Sequence, residues 1–310
     1  MSDLPFTIRN YRPADFKGYL RLHIESEPFD QSGRYISSRM LAESLRQPNY
    51  CPEKNGFIVE KDNKIIAFAG LTPEAGIRRV LLDGLVHPRF RKQGVATALF
   101  SRTMQRAQAL GAKVMQISIP EANAAASGLV SSLGFRFIRH FLELKLVFYN
   151  TDLPDVKRAP FVIRELRDGE EGVLTVIQNR SFAGSWGFNP NTTEEIVYRI
   201  NMRDSSPADV LMACDGDKSV GYCWTRVNTE ENRLRGENRG QIHMMGVDPD
   251  YRKKGVGKVL LLKGLERLRS KSVDVVELTV DSQNKAGRAL YAFVGFELDS
   301  RTEWYEKRVG

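Results

Sequence analysis

Val247-Asp248-Pro249-Asp250-Tyr251-Arg252-Lys253-Lys254-Gly255-Val256-Gly257 is the stretch on which the reading of this chain turns. It follows an apolar strand-like run, Gln241 to Val247. It precedes a segment in which Val256, Val259, Leu260, Leu262, Leu265 and Leu268 recur at three- and four-residue spacing, the signature of an amphipathic helix. A strand that turns through glycines into a helix presents unpaired backbone N–H groups at the positive end of a helix dipole, an arrangement suited to phosphate. Glycine at 255 and 257 lets backbone approach an anion, and Arg252, Lys253, Lys254 and Lys258 surround it with positive charge. The spacing is neither the G-x-G-x-x-G of dinucleotide folds nor the G-x-x-x-x-G-K-[ST] of nucleotide-triphosphate loops.

The same stretch occurs twice. Val86-His87-Pro88, Arg91-Lys92-Gln93-Gly94-Val95-Ala96 and Gly134-Phe135 return as Val247-Asp248-Pro249, Arg252-Lys253-Lys254-Gly255-Val256-Gly257 and Gly295-Phe296, always 161 positions later. Phe6-Thr7-Ile8-Arg9 returns as Phe161-Val162-Ile163-Arg164. A constant offset over separated landmarks marks an internal repeat. A length of 310 residues agrees, being about two domains of ordinary size. The linker signals Asn150, Thr151, Asp152, Pro154 and Pro160 put the expected boundary near residue 155, giving domains 1–155 and 156–310.

Within the second copy, periodicity predicts a strand at Val162–Glu165, a helix at Glu170–Arg180, and a hairpin of Val210–Cys214 with Val220–Val227 across Asp215-Gly216-Asp217. The glycine turn and its helix come next, then a strand at Val273–Asp281, a helix from about Lys285 to Val294 capped by Gly295, and a last strand. The expected fold is α/β (α+β): two tandem domains, each a mixed, mostly antiparallel sheet flanked by helices around a central βαβ unit.

Composition narrows the function classes. Hydrophobic residues at 42% and charged residues at 27% suit a folded, soluble protein. No apolar run reaches membrane-spanning length, and the N-terminus lacks the basic and apolar regions of a secretion signal, so no membrane role and a cytoplasmic location are expected. Cys51, Cys214 and Cys223 form neither a disulfide framework nor a zinc pattern, and no metal is expected. The net charge of +8 favours a polyanionic partner. Basic residues are not interleaved with aromatics, and no zinc-finger or RNA-binding signature occurs, so nucleic acid is not the expected one.

Together, the R-x-x-G-x-[GA] turn after Val-x-Pro and the strand, Asn, helix and Gly-Phe that follow resemble the GNAT superfamily of acetyl-CoA-dependent N-acetyltransferases. The resemblance covers both halves, most specifically residues 241–296, and the tandem arrangement is similar to the mycothiol synthase family. It implies acetyl-CoA as co-substrate. Met245 and Val247 would then offer backbone contacts to the pantetheine arm, residues 252–258 (including Val256) the pyrophosphate loop, and Asn284 a further contact to the arm. The acid that protonates the departing thiolate would be Tyr291, in Asn284-Lys285-Ala286-Gly287-Arg288-Ala289-Leu290-Tyr291, two helical turns beyond Asn284. The first copy keeps Arg91, Gly94, Ala96 and Asn123 but has Val130 at the tyrosine position. It is therefore expected to be catalytically inactive, a weak cofactor binder or a scaffold.

Departures and open choices remain. Where several members of the family carry a glutamate, this chain has Gln241, which cannot accept the amine proton. Strand alternation places Gln241, His243 and Met245 on one face. His243 then serves as base directly or through water while Gln241 orients the amine, or the amine arrives deprotonated and solvent relays its proton. Phe182, Trp186 and Phe188 either wall the acceptor pocket or plug the core. Trp224 reads as core, and Asn228 to Asn238 as a solvated loop. The leading expectation is acetyl transfer to a primary amine of a small molecule by a monomer or homodimer. The alternatives are transfer to a peptide or protein N-terminus, or a non-enzymatic acyl-CoA sensor.

Overall fold

In a computed structural model the described residues are 5–30, 36–154 and 161–310. The expected boundary at 155/156 lies outside them. The chain divides into two compact units, Met1–His140 with Arg301–Gly310, and Phe141–Ser300.

In chain order the elements begin with β1 (Thr7–Asn10), α1 (Phe16–Asp30), α2 (Ser38–Leu45), α3 (Pro52–Asn55), β2 (Gly56–Lys61), β3 (Lys64–Glu74) and β4 (Arg79–Val86). Then come α4 (Val95–Ala109), β5 (Val114–Pro120), α5 (Ala124–Ser132) and β6 (Arg136–Val147). The second copy of the sequence repeat runs through β7 (Val162–Glu165), α6 (Glu171–Phe182), α7 (Thr193–Ile200), β8 (Val210–Asp215), β9 (Lys218–Arg226) and α8 (Thr229–Arg235). It continues with β10 (Arg239–Val247), α9 (Val256–Ser270), β11 (Val275–Asp281), α10 (Lys285–Val294) and β12 (Glu297–Arg308). The stretch expected as a solvated loop after β9 contains α8, started by Asn228, whose side chain accepts the Glu231 amide, and stopped by left-handed Gly236.

Each unit has the same sheet. In the first, β1, β2, β3 and β4 pair antiparallel in sequence order, β4 pairs parallel with β5, and Thr302–Arg308 of β12 run antiparallel to β5. In the second, β7 to β10 pair antiparallel in order, β10 pairs parallel with β11, and Phe141–Val147 of β6 run antiparallel to β11. The strand that closes each sheet therefore comes from the other copy of the sequence repeat.

Both faces of each sheet are covered. In the second unit α9 and α10 bury Leu260, Leu265, Tyr291 and Val294 on one face, and α6 and α7 bury Leu174, Ile177, Ile196 and Ile200 against Tyr222 and Trp224 on the other. Cys223 and Thr225 of β9 lie against Gly264 of α9, where a Cβ would come within 2.7 Å of the Cys223 sulfur, so close helix packing requires glycine there. The first unit repeats the plan, with α4 and α5 over one face and α1 and α2 over the other.

The exchanged strand is testable. Tyr305 of β12 is 7% exposed and packs with Met115 and Phe135 of the first unit. Tyr305→Ala is expected to cost about 3 kcal/mol. Hydrogen exchange should show the loss of protection in β5, with β10 and β11 unaffected.

Candidate active site

Parallel pairing between β10 and β11 lasts for Arg239–Gln241 against Val275–Glu277, after which the two strands have no further partners in each other. Met245 and Val247 lie in the part of β10 that has left β11, bordered by Leu290 and Tyr291 of α10. At the end of β10, Asp248 caps the short turn Pro249–Tyr251 by accepting the Asp250 amide at 3.0 Å. Lys253 takes φ 61° and Gly255 φ 86°, and α9 starts at Val256. The amides at the start of α9, those of Val256, Gly257 and Lys258, have no acceptor within the helix. They make an anion cradle at its positive end.

The corresponding turn of the first unit repeats these angles, with Lys92 at φ 59° and Gly94 at φ 78°. Left-handed backbone explains glycine at 94 and 255. Gly257 is different: a Cβ there would make ordinary contacts of 3.5 Å to Val247 and 3.7 Å to Leu290, which is why Ala96 can stand in its place.

The turn is fastened to α6. Buried Asp248 accepts from Arg180 Nε at 2.8 Å and Nη2 at 3.1 Å, and these bonds hold its carboxyl below the usual range. Arg252 Nη2 donates to the Ser181 carbonyl at 2.7 Å. Arg252 thus ties the loop to the helix beside it. Lys254 Nζ lies 4.6 Å from the centre of the Tyr251 ring, and Lys258 Nζ 4.2 Å from that of Phe293. Sequence spacing discloses neither Asp248–Arg180 nor Arg252–Ser181, although an aspartate just before Pro249 is a turn-capping signal.

Tyr291 is 8% exposed and meets Phe296 edge to face at 5.9 Å. Burial, with Cys223 nearby, pushes its phenol up to about 12, so it carries its proton throughout the physiological range. Asn284 caps α10, its Oδ1 accepting the Gly287 amide at 2.9 Å.

Alternation along β10 does not hold. A bulge between Ile242 and Met244 shifts the register. Gln241 pairs with Arg226, and His243 lies edge to face with Trp224 at 5.4 Å, on the side covered by α6 and α7. Met245 pairs with Cys223 and packs on the α9 side, so it is not on one face with Gln241 and His243 as expected. Burial, then the charges of Arg226 and Arg199, lower the His243 imidazole to about 4. It is neutral at pH 7 and a weaker base than an ordinary histidine.

The aromatic residues divide. Phe182 and Phe188 stack with centres 6.0 Å apart, and Trp186 lies 6.1 Å from Phe141 of β6. All three are half-buried, whereas Trp224 is core at 1% exposure. Sequence reasoning does not single out Phe141, which lies far away along the chain.

In the first unit β4 and β5 likewise pair over only three positions. They part around a cavity of 370 Å³ lined by Arg91, Lys92, Gly94, Ala96, Asn123 and Val130 among others. Val130 leaves no hydroxyl where Tyr291 stands in the second unit. Among the described residues, no helix is long and apolar enough to cross a membrane.

Comparison with known proteins agrees with this geometry. Residues 20–135 and 159–296 each match the acetyltransferase (GNAT) family. The mycothiol acetyltransferase of Thermobifida fusca is 30% identical over 69% of this chain and 70% of its own length. That of Propionibacterium freudenreichii is 29% identical over 80% and 76%. Among solved structures, a GCN5-related N-acetyltransferase from Sphaerobacter thermophilus superposes with a TM-score of 0.76 at 21% identity, covering 98% of this chain and 96% of that one. A tandem GNAT protein from the clavulanic acid biosynthesis pathway gives 0.74 at 18% identity, covering 98% and 99%. The repeated strand–glycine turn–helix, the parted parallel strands and these matches place the chain in the acetyltransferase (GNAT) family, as an N-acetyltransferase of two tandem GNAT units.

Proposed function

We propose that the second unit transfers an acetyl group from acetyl-CoA to the primary amine of a small molecule. The observation that carries this reading is Tyr291, a phenol held protonated beside the opening between β10 and β11, with an anion cradle at the end of the same strand. The amides at the start of α9 and the charges of Lys253, Lys254 and Lys258 receive the pyrophosphate. The free edge of β10 at Met245 and Val247 receives the pantetheine arm. The amine attacks the thioester carbonyl, the carbon–sulfur bond breaks, and Tyr291 gives its proton to the departing thiolate. Asn284 keeps its oxygen on the helix cap and offers the arm only its amide nitrogen.

Gln241 orients the amine. His243, neutral and poorly basic, is suited to hold a water or the ammonium by a hydrogen bond rather than to drive its deprotonation. The amine therefore loses its proton chiefly to solvent. Phe182 and Phe188, with Trp186 behind, form the wall of the acceptor site. Relatives called mycothiol acetyltransferase support a small-molecule acceptor over a protein N-terminus. The first unit, with its cavity and turn but no phenol, holds the same donor without transferring it.

Three outcomes are expected. In thiol-release assays over a panel of amines, Tyr291→Phe should lower kcat by about 100-fold while acetyl-CoA affinity stays within about twofold. Equal rates would remove Tyr291 from the chemistry. With an imidazole near 4, kcat/KM should rise with pH towards the pKa of the acceptor amine. A limb near ~6.5 that vanishes in His243→Gln would instead assign the base to that histidine. Calorimetry should find two equivalents of acetyl-CoA per chain, falling to one in Gly94→Val, whose side chain the left-handed backbone disfavours. A single equivalent in the native protein would leave the first unit a scaffold only.

A further inference from the structure

Under α6 and α7, the sheet face of the second unit holds buried polar atoms without hydrogen-bond partners. Tyr222 of β9 interacts with the Gln178 side chain of α6; beside them Trp224 Nε1 and Arg226 Nε come from alternate positions of β9, and Ser181 Oγ comes from α6. Each of these last three atoms is buried without a hydrogen-bond partner. Gln178 and Tyr222 are fully buried and Trp224 is 1% exposed. A buried polar atom left unmatched costs about 1–3 kcal/mol. Several together mark a place where another molecule completes the pairing.

The charges there are equally one-sided. Arg226 lies across from Gln241, and Arg199 of α7 donates Nη1 to the Asn191 side-chain oxygen at 2.9 Å. Among the described residues neither guanidinium has a carboxylate within ion-pair distance. Glu195, one turn before Arg199, accepts the Thr192 amide at 2.7 Å. Glu231 is bound to Arg235 and to the Asn228 side chain. Both arginines act on His243, and Arg199 also acts on Tyr222. Arg226, two positions from Trp224 on β9, and Arg199, whose charge reaches His243 and Tyr222, thus put positive charge near residues proposed to hold the amine.

We infer that this cluster binds an anionic group, a carboxylate or a phosphate, carried by the acceptor close to its reacting amine. Arg226 and Arg199 supply the charge, and Trp224 Nε1–H and Arg226 Nε–H the directed donors. A wholly neutral acceptor could pair the orphan donors but would leave both guanidiniums without a counter-charge. The inference rests on the second unit being an amine acetyltransferase and narrows the class of amine it takes.

Two matched pairs test it: glycylglycine against glycylglycinamide, and O-phosphoethanolamine against ethanolamine. Each is measured by calorimetry with acetyl-CoA-free protein and by thiol release with acetyl-CoA. The anionic member of at least one pair should bind about tenfold more tightly and show a higher kcat/KM by a similar factor. The pair that responds tells carboxylate from phosphate. Arg226→Gln should bring the ratio near one, chiefly through KM, and Arg226→Lys should restore part of it. Thermal melts of both variants separate lost recognition from lost folding. If calorimetry shows no anion preference in either pair, the inference is overturned, whether or not thiol is released. Thiol release from the neutral amines would then leave the acetyltransferase reading standing, and release from no amine in the wider panel would count against that reading.

Discussion

Parallel strands β10 and β11 share only three positions before they part, and the chemistry proposed for the second unit is arranged around that opening. A strand in the middle of a sheet would ordinarily satisfy its backbone on both sides. Beyond Gln241, β10 keeps its partner in β9 and has none in β11, so an edge lies free inside the fold rather than at its margin. The bulge at His243 falls within this departing segment. It turns His243 towards Trp224 and Met245 towards α9, so that one strand supplies polar groups to one face and, in the proposed function, the edge that receives the pantetheine arm.

Such an opening needs fixed borders. The glycine turn closes one end and is held by Arg180 on Asp248 and by Arg252 on the Ser181 carbonyl. Both contacts lead to α6, which also carries Gln178 and Phe182. The helix that steadies the glycine turn is therefore also the one that carries residues of the proposed acceptor side. Orphan donors beneath α6 and α7, and two guanidiniums without a carboxylate partner, are costly in the empty protein and, on the inference drawn above, favourable once filled. This local misfit is characteristic of a site built for a ligand rather than for stability.

Much of this architecture is legible in the amino-acid sequence. The repeat at a constant offset identifies two copies of one unit, because the anion turn needs left-handed backbone at Gly94 and Gly255 and leaves a visible mark. The strands, the βαβ centre and the helix after the glycines follow from apolar periodicity. Tyr291 is a candidate legible in the sequence because it lies two helical turns beyond Asn284 and fits the pattern of the family that the chain resembles. Helix α8 escapes a reading by periodicity because a charged, polar segment has no apolar stripe, although Asn228 and Gly236 are end signals.

The sequence by itself determined the tandem architecture, the two left-handed glycine turns and the lack of a hydroxyl at Val130, since each depends on local conformation or on the presence of a single functional group. Only the tertiary structure decided which copy of the repeat supplies the closing strand of each unit, where β10 bulges, how far burial lowers His243, and that Arg180 meets Asp248, Arg199 and Arg226 act on His243, and Phe141 lies against Trp186. These depend on groups distant in the chain meeting across strands and helices. Sequence spacing carries no record of the desolvation and charge that such meetings create.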